Sequence, residues 1–394
     1  MTSLRRSMRI AAADYGKSHL SQVLEILKLA FASGHLTAKE YYNYRLFDDS
    51  QFTFSDKQKY IGFASQEQIK KFLINVRWKI LSDDKFIFAT LFQSQNFPLA
   101  KILATYNYGP NQRDCGIPSF RTTNDLRSFL ENGVQYPFFG KPVAESYGLG
   151  CIKINGFDQT TKQMTLAQGE SIAIDQFIKS LQQFSDGYMF QEVVHPHRVI
   201  RELCGDRVAS VRVVVLLDRH GPQIFRAGWK IPTGDNISDN FQHGQSGNLL
   251  AAVDIEDGRV GKLVQGLGVD QKCLERHPDT GEQIQGVVLP YWRELKELCL
   301  EAAVLLPGFN LQSWDIVICD EGPILQEVQG GDFDVLQVSA QKGMLDDSLR
   351  QLLKTRNKFW QREIALSYLA AMPRRMYRQL HATPKSSALD HVEG

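Results

Sequence analysis

The sequence has few of the features that mark secreted, membrane-spanning or nucleic-acid-binding proteins. It has six cysteines in 394 residues, and none form a Cys-x-x-Cys pair, which argues against a disulfide framework or a zinc site. No run approaches the roughly 18 to 20 apolar residues that cross a bilayer, and the N-terminus shows no apolar signal core. The net charge is +1, so no global field favours nucleic acid. We expect a cytoplasmic protein without a nucleic-acid partner.

Two familiar catalytic signatures are also missing. The full Gly-x-x-x-x-Gly-Lys-Ser/Thr pattern of a Walker loop is absent, because Gly16-Lys17-Ser18 is preceded by alanine at position 11. No convincing Ser-His-Asp or Cys-His arrangement is present, so nothing indicates a covalent nucleophile. What remains is the composition of an ordinary globular protein, 43% hydrophobic and 23% charged, and the length of two or three domains or subdomains.

A β-hairpin is predicted from two short apolar strands, 316–319 and 323–328, which flank an Asp-Glu-Gly turn. The turn pairs the strands, so Asp315 and Glu327 can face each other across one end of the hairpin. Together with the amide of Gln329, these carboxylates suit a magnesium ion that carries polyphosphate. The alternative interpretation is a hairpin with a solvated acidic end.

Upstream lies a lysine at a predicted strand end, followed by a loop with two spaced glycines and then another strand. The residues are Lys141, Gly148 and Gly150. Glycines let backbone N–H groups approach phosphate oxygens, and the lysine neutralises charge. The pattern is typical of a hairpin that covers phosphates, although Gly-Leu-Gly turns are common.

Two more predicted strands carry polar residues at informative places. The strand 188–193 contains Gln191 and Glu192, which could form the edge of a nucleotide pocket; the alternative is a core strand that meets solvent at Glu192. The apolar strand 209–217 contains Arg212. An arginine there must face a cleft or a partner, because burying it unpaired is too costly. A structural ion pair is the alternative.

The rest of the chain frames these motifs. Residues 18–80 show helical periodicity, and Thr37 with Glu40 resembles a capping box. The polar loop 234–248 is too long for a simple turn and is typical of a functional segment. Residues 345–381 are predicted as a basic helix, either packed with a solvated face or docked on a membrane surface or partner.

The order of these pieces resembles the ATP-grasp superfamily, and more closely its sugar-transfer-associated branch. The resemblance covers roughly residues 38–350. Beyond the motifs above, it rests on residues 40–47, 84–86, 210–213, 239–241 and 314–329.

The resemblance implies an α/β (α+β) fold in which two α+β subdomains grip the nucleotide, with a helical N-terminal region and a C-terminal helix. The implied divisions are a helical region at 1–83, the first ATP-grasp part with the small nucleotide-binding subdomain at 84–208, the C-terminal subdomain with the metal hairpin at 209–345, and a basic helix with a disordered tail at 346–394.

The resemblance also implies a nucleotide-binding set. Lysines would contact the ATP phosphates under a flexible glycine loop, and Glu192 would lie near the adenine amino group. The implied set is Lys85, Lys141, Gly148, Gly150, Gln191, Glu192, Val193, Val194 and His197.

Catalytic and metal-binding roles follow in the same way. Arg212 would stabilise charge on the transferred phosphoryl group. His243 would be a base beside the acceptor, the alternative being a solvated residue. The implied catalytic set is Arg212, Lys141, Asn240 and His243. The implied magnesium ligands are Asp315, Glu327 and Gln329, where the family pattern is Glu-x-Asn and this chain has Glu-Val-Gln.

The implied activity is an ATP- and Mg²⁺-dependent ligase that joins a carboxylate to an amine through an acyl phosphate, in glycan or amino-sugar-linked biosynthesis. Its partners would be the two small-molecule substrates, with a peripheral membrane or glycan-assembly partner for the C-terminal helix. The alternatives are a phosphotransferase with the same ATP site and a nucleotide-binding scaffold without catalysis.

Overall fold

The structure, a computed structural model, describes residues 4–107, 116–145, 148–331 and 333–380, with side chains up to residue 370. The helices of these residues cluster at the two ends of the chain and between the strands. They are α1 (Leu4–Tyr15), α2 (His19–Ala30), α3 (Ala38–Asn43), α4 (Phe54–Lys57), α5 (Phe63–Leu73), α6 (Ile80–Asp83), α7 (Lys85–Ser94), α8 (Thr123–Ser128), α9 (Ile174–Leu181), α10 (Arg198–Cys204), α11 (Trp292–Val304), α12 (Phe333–Ala340), α13 (Asp347–Arg356) and α14 (Trp360–Leu380).

The strands form two sheets of seven strands each. The first sheet has the order β2-β1-β7-β3-β4-β5-β6, and the second has the order β12-β11-β10-β9-β8-β13-β14. The strands are β1 (Ile102–Tyr106), β2 (Ser119–Phe120), β3 (Phe138–Pro142), β4 (Ile152–Asp158), β5 (Gln163–Leu166), β6 (Ser171–Ala173), β7 (Tyr188–Glu192), β8 (Val211–Asp218), β9 (Gly221–Ile231), β10 (Leu249–Val253), β11 (Val260–Gln265), β12 (Lys272–Leu274), β13 (Leu311–Cys319) and β14 (Gly322–Gln329).

The second sheet is covered on both faces. Along β8, Val211 and Val213 join the core that contains α11, whereas Val214 and Leu216 join the core that contains α12 and α13. Successive strand residues point to opposite faces, so Arg212 lies on the same face as Val214. The near-continuous apolar run of β8 follows from this double burial, and Arg212 is the charged residue that interrupts it.

The N-terminal helices are fixed to the second sheet through α12. The side chain of Gln337 accepts a hydrogen bond from the Ile61 backbone N–H at 2.8 Å and donates one to the Ile61 carbonyl at 3.0 Å. Gln66 on α5 accepts from the Phe333 N–H at 2.8 Å, and Tyr44 donates to Asp334 at 2.5 Å. Buried polar groups require hydrogen-bond partners. These bonds therefore fix the position of the N-terminal helices relative to α12.

Several sequence predictions are confirmed and two need correction. The capping box of Thr37 and Glu40 is present at the start of α3. The predicted hairpin strand 316–319 is instead the nine-residue β13, so Asp315 lies inside a strand and is 1% exposed. This excludes a solvated acidic end at Asp315.

The C-terminal segment forms two helices instead of the predicted single helix at 345–381. The backbone is extended at Asn357, where α13 ends, and Asn357 belongs to the residues that favour turns over helix interiors. The predicted disordered tail lies outside the described residues. Among the described helices, none has the length and apolar character needed to cross a membrane.

Candidate functional site

A cleft of about 1910 Å³ opens between the two sheets, and the N-terminal helices close one of its sides. The cleft face of the first sheet is set by strand register. Phe139 on β3 pairs with Gln191 on β7 and with Lys153 on β4, and Lys141 follows two residues later on the same face. All four residues line the cleft.

The opposite wall is built around a buried carboxylate on β13. Asp315 pairs with Arg212 on one side and with Glu327 on the other. The Arg212 guanidinium donates to both Asp315 oxygens, Nε to Oδ1 at 2.8 Å and Nη2 to Oδ2 at 2.7 Å. The Lys230 ammonium donates to Oδ2 at 2.9 Å. Burial by itself would raise the pKa of Asp315, but the charges of Arg212 and Lys230 outweigh burial and hold this pKa well below its usual range.

Lys230 is a site residue that the sequence analysis missed. It is 4% exposed and contacts Asp239 at 3.4 Å as well as Asp315. Asp239 in turn accepts hydrogen bonds from the backbone N–H and the hydroxyl of Ser210. Burial lowers the pKa of Lys230, yet the two carboxylates prevail and raise it. The signal was available, because Lys230 interrupts an apolar strand in the same way as Arg212 does.

Glu327 differs from Asp315 in its surroundings. Its carboxylate is half-buried, lines the cleft and accepts a hydrogen bond from the Gln329 amide at 2.8 Å. No lysine, arginine or histidine of the described residues forms an ion pair with it. Burial raises the pKa of Glu327, and the negative charge of Asp315 raises it further. A carboxylate in this position is ready for a cation that the protein itself does not supply.

The donor set at this point fits magnesium, which prefers carboxylate and amide oxygens and keeps several waters. Glu327 is open and the amide oxygen of Gln329 is available. Oδ1 of Asp315 keeps a second lone pair, whereas Oδ2 already accepts from both Arg212 and Lys230. The described residues contain no cluster of three His, Cys, Asp or Glu side chains that could hold a metal ion. A magnesium ion here would need further oxygen ligands, such as waters or phosphate oxygens, to complete its six-fold coordination.

The two predicted phosphate lysines lie on the first-sheet side. Lys85, at the start of α7, donates to the carbonyls of Val143, at 3.4 Å, and Glu145, which fixes it at the base of the glycine loop. Lys141 is 8% exposed, and its ammonium donates no hydrogen bond to any described residue. Burial is the main reason that the pKa of Lys141 is lowered, and the charge of Lys85 adds to the effect.

Replacing Lys141 by methionine is expected to weaken nucleotide binding and to increase the stability of the protein at pH 7. Affinity for an ATP analogue should fall about ten- to a hundredfold, as for a lost charge-assisted hydrogen bond. Because the folded pKa lies below the usual 10.5, the unfolded chain holds more protons between the two pKa values, and wild-type stability rises with pH there. Lys141→Met should therefore be the more stable protein at pH 7, with the difference vanishing towards pH 10.5.

Calorimetric titration and urea denaturation at several pH values would test this prediction. Lys179→Met, an exposed lysine on α9, is the matched control and should change neither quantity. Unchanged nucleotide affinity in Lys141→Met would remove Lys141 from the phosphate site.

The glycine loop reaches the polar loop of the other wall. Gly148 and Gly150 both have positive φ, +73° and +72°. A Cβ at Gly148 would lie 3.1 Å from both the Asn240 amide nitrogen and the Ser238 hydroxyl. Asn240 itself donates to Ser238 at 2.8 Å. The positive φ and the close approach of the Asn240 and Ser238 side chains explain the glycine at 148, whereas Gly150 packs against Phe184 and does not line the cleft.

Of the remaining residues predicted to bind nucleotide, some line the cleft and one does not. Gln191, Glu192, Val193 and Val194 line the cleft, but the Glu192 carboxylate already accepts from the Lys101 backbone N–H at 2.8 Å. His197 lies outside the cleft lining. Its ring accepts a hydrogen bond from the Val199 N–H at 3.2 Å and caps α10.

His243 is exposed in the polar loop and lines the cleft, with φ of +52°. The structure therefore brings it to the cleft beside Asn240. Both residues belong to the segment that faces the glycine loop.

The N-terminal helices contribute cleft residues that the sequence analysis did not name. These residues come from α3 and α5 and include Asn43, Tyr44, Phe63, Gln66, Lys70 and Lys71. The Phe63 ring is 58% exposed. Lys70 pairs with Glu67 at 2.8 Å, whereas Lys71 forms no ion pair with a described residue. These helices form a wall of the site and do more than brace the fold.

Comparison with known proteins identifies a protein family whose sequence model matches most of the chain. A sequence model described as sugar-transfer associated ATP-grasp matches residues 65–352, which include the cleft residues of both sheets and those of α5 from Gln66 onward. A search of curated proteins found no match to the chain.

Solved structures resemble the chain only loosely. VanG D-Ala:D-Ser ligase from Enterococcus faecalis is 12% identical, with a TM-score of 0.40 over 73% of this chain and 64% of that one. The ATP-grasp ligase PsnB, complexed with a minimal precursor, is 15% identical, with a TM-score of 0.39 over 72% and 63%. D-alanine-D-alanine ligase from Helicobacter pylori is 10% identical, with a TM-score of 0.40 over 78% and 70%. The chain thus spans less than two thirds of the length of the first two, and likeness at this level says nothing about substrate.

Proposed function

Because the chain belongs to the sugar-transfer associated ATP-grasp family, we propose that it is an ATP- and magnesium-dependent ligase that joins a carboxylate to an amine. One observation carries the proposal. The cations Lys141, Arg212 and Lys230 and the open carboxylate of Glu327 come from two different sheets and line a single cleft. This arrangement suits a polyphosphate held between the sheets with its reactive end at Glu327.

The proposed reaction has two steps. A carboxylate oxygen of the first substrate attacks the γ-phosphorus of ATP, and ADP leaves, so an acyl phosphate forms. The amine of the second substrate then attacks the carbonyl carbon, inorganic phosphate leaves, and the amine loses a proton. The protein needs to position groups and neutralise charge, which Lys141 and Arg212 are placed to do.

Glu327, Asp315 and the amide oxygen of Gln329 would hold magnesium. When bound, the metal supplies charge neutralisation at the β- and γ-phosphates. Arg212 and Lys230 keep Asp315 ionised and fixed in orientation, and Gln329 orients Glu327 through its amide hydrogen bond. Second contacts of this kind commonly tune metal sites.

The acceptor would lie against the N-terminal helices. The cleft volume of about 1910 Å³ is roughly twice that of a large small-molecule pocket, so a second substrate fits beside ATP. β14 ends at Gln329, next to α5: a Cβ on Gly330 would touch Ile74. The unpaired Lys71 favours an acceptor with a negative group, in agreement with a carboxylate substrate.

We expect Lys71→Glu to raise the KM of the acceptor about tenfold or more while leaving the affinity for ATP unchanged. Like charge at the cleft wall would repel the carboxylate. The measurement is phosphate release against acceptor concentration, with Lys59→Glu, which reverses a lysine paired with Asp56 outside the cleft, as the comparison. Equal KM values in Lys71→Glu and the wild type would remove α5 from the acceptor site.

The first test of the activity is calorimetric titration with a non-hydrolysable ATP analogue, with and without magnesium. Magnesium-dependent binding is the expected result. No binding at millimolar analogue would contradict an active ATP site and would leave the scaffold interpretation.

Product analysis then separates the two reaction types. Carboxylates would be screened with amines, including amino sugars, because the family description points to sugar transfer. An amide with release of phosphate supports the ligase. A phosphorylated acceptor that is stable to added amine would instead identify a phosphotransferase.

A further inference from the structure

Helix α2 turns an apolar face to the solvent. Its exposed apolar residues are Leu20, Val23, Leu24 and Leu27, with Phe31 at its C-terminal cap, and they are 43–69% exposed. Their spacing of three and four residues places them on one side of the helix. We call this surface the α2 outer face. Scattered apolar side chains are common on protein surfaces, but a continuous stripe usually marks an interaction site.

The inner side of α2 is held by apolar and polar contacts together, so the helix cannot rotate to bury the stripe. Leu29 is buried in the core of the N-terminal helices, and the polar residues beside it are all engaged. The Gln22 amide donates to the carbonyls of Lys17, at 2.6 Å, and Met8, at 3.1 Å. Its oxygen accepts from the Tyr42 hydroxyl at 2.6 Å. Glu25 pairs with the buried Lys57 at 2.9 Å. A helix with one buried side normally exposes polar residues on the other side, so the apolar outer face of α2 is a feature to be explained by what covers it.

The exposed charged residues of α1 and α2 that form no ion pair are mostly positive. Arg5 and Arg9 on α1 and Lys28 on α2 are exposed and form no ion pair with a described residue. Asp14 is the exposed acidic residue of these two helices that no ion pair engages. An apolar stripe on a helix pair with basic exposed residues is complementary to a partner that has an apolar interior beneath an anionic surface.

A second copy of the chain fits less well. A helix of 12 residues is roughly 18 Å long, and its single stripe offers much less than the about 800 Å² per partner of a stable interface. A lipid surface needs no such area, because side chains enter the boundary of headgroups and acyl chains one by one. We propose that the α2 outer face docks on an anionic bilayer, with its leucines and Phe31 inserted and Arg5, Arg9 and Lys28 near the lipid phosphates.

The test is co-sedimentation of the full chain with vesicles. Vesicles of phosphatidylcholine with phosphatidylglycerol should retain the wild type, and vesicles of phosphatidylcholine alone should retain it weakly. The double variant Leu24→Glu with Leu27→Glu should lose about tenfold or more in partitioning. Because both side chains are exposed, its ATP-analogue affinity and its thermal unfolding should match the wild type.

The control is Leu366→Glu, a 56% exposed leucine on α14, which should bind vesicles like the wild type. Loss of binding in Leu366→Glu, with the α2 variant unaffected, would transfer the membrane contact to the C-terminal helix and overturn the proposal. Failure of the wild type to bind anionic vesicles would also overturn it. So would a dimer in analytical ultracentrifugation that Leu24→Glu with Leu27→Glu dissolves, which would assign the face to a second copy.

Discussion

Replacing Asp315 by asparagine is expected to destabilise the protein by about 3–5 kcal/mol and to abolish turnover. Arg212 and Lys230 share this carboxylate at 2.7–2.9 Å, and all three side chains are less than 5% exposed. Breaking a buried ion pair from one side costs far more than losing a surface pair, because the remaining charge stays in a medium that solvates it poorly. Urea denaturation and phosphate release measure the two effects.

The matched control is Asp257→Asn, which removes an exposed ion pair with Arg259 at 3.2 Å and should cost less than about 1 kcal/mol.

The pH dependence of stability gives a second check. The folded pKa of Asp315 lies below the usual 3.8, so its stabilisation is complete above that value and is lost as the pH falls through the folded pKa. Wild type and Asp315→Asn should therefore converge in stability only in strong acid. A variant as stable as the wild type at pH 7 would show that the network is not a buried anchor.

The different environments of the Asp315 and Glu327 carboxylates could not be predicted from the sequence. Both precede or follow apolar residues at one end of a hairpin, and both suit a metal. In the structure the two differ in their partners, because Asp315 contacts Arg212 on β8 and Lys230 on β9. Those contacts depend on the order β9-β8-β13-β14, which local pattern does not specify.

Arg212 and Lys230 show where local reasoning succeeds. A charge within an apolar strand must find a partner or a cleft, and Arg212 has both, an ion pair with Asp315 and a place in the cleft lining. Its role at a functional site stays a prediction. Applied to Lys230, the same argument would have found it. The cleft wall from α5 is a different case. It depends on hydrogen bonds such as Gln66 to Phe333, 267 residues apart in the chain, and no periodicity encodes that pairing.

Glu327→Gln is expected to inactivate the protein without destabilising it. Loss of a charged metal ligand removes several kcal/mol of transition-state stabilisation, which corresponds to about a thousandfold or more in turnover. Stability should move in the opposite direction from that of Asp315→Asn. Burial and the charge of Asp315 raise the pKa of Glu327 above its usual 4.5. Between the two values the folded chain holds more protons, so wild-type stability falls as the pH rises.

A neutral glutamine avoids that cost and keeps nearly the same shape. We therefore expect Glu327→Gln to match or exceed the wild type in urea at pH 7 to 8, and the two to converge below pH 4.5. Magnesium should no longer strengthen binding of the ATP analogue to this variant. A variant that is less stable and retains turnover would reverse the assignment, making Glu327 a structural group. Because the pKa of Glu327 is raised, the free protein gives up some stability as the pH rises, and the metal cation that we propose at this carboxylate would offset the loss.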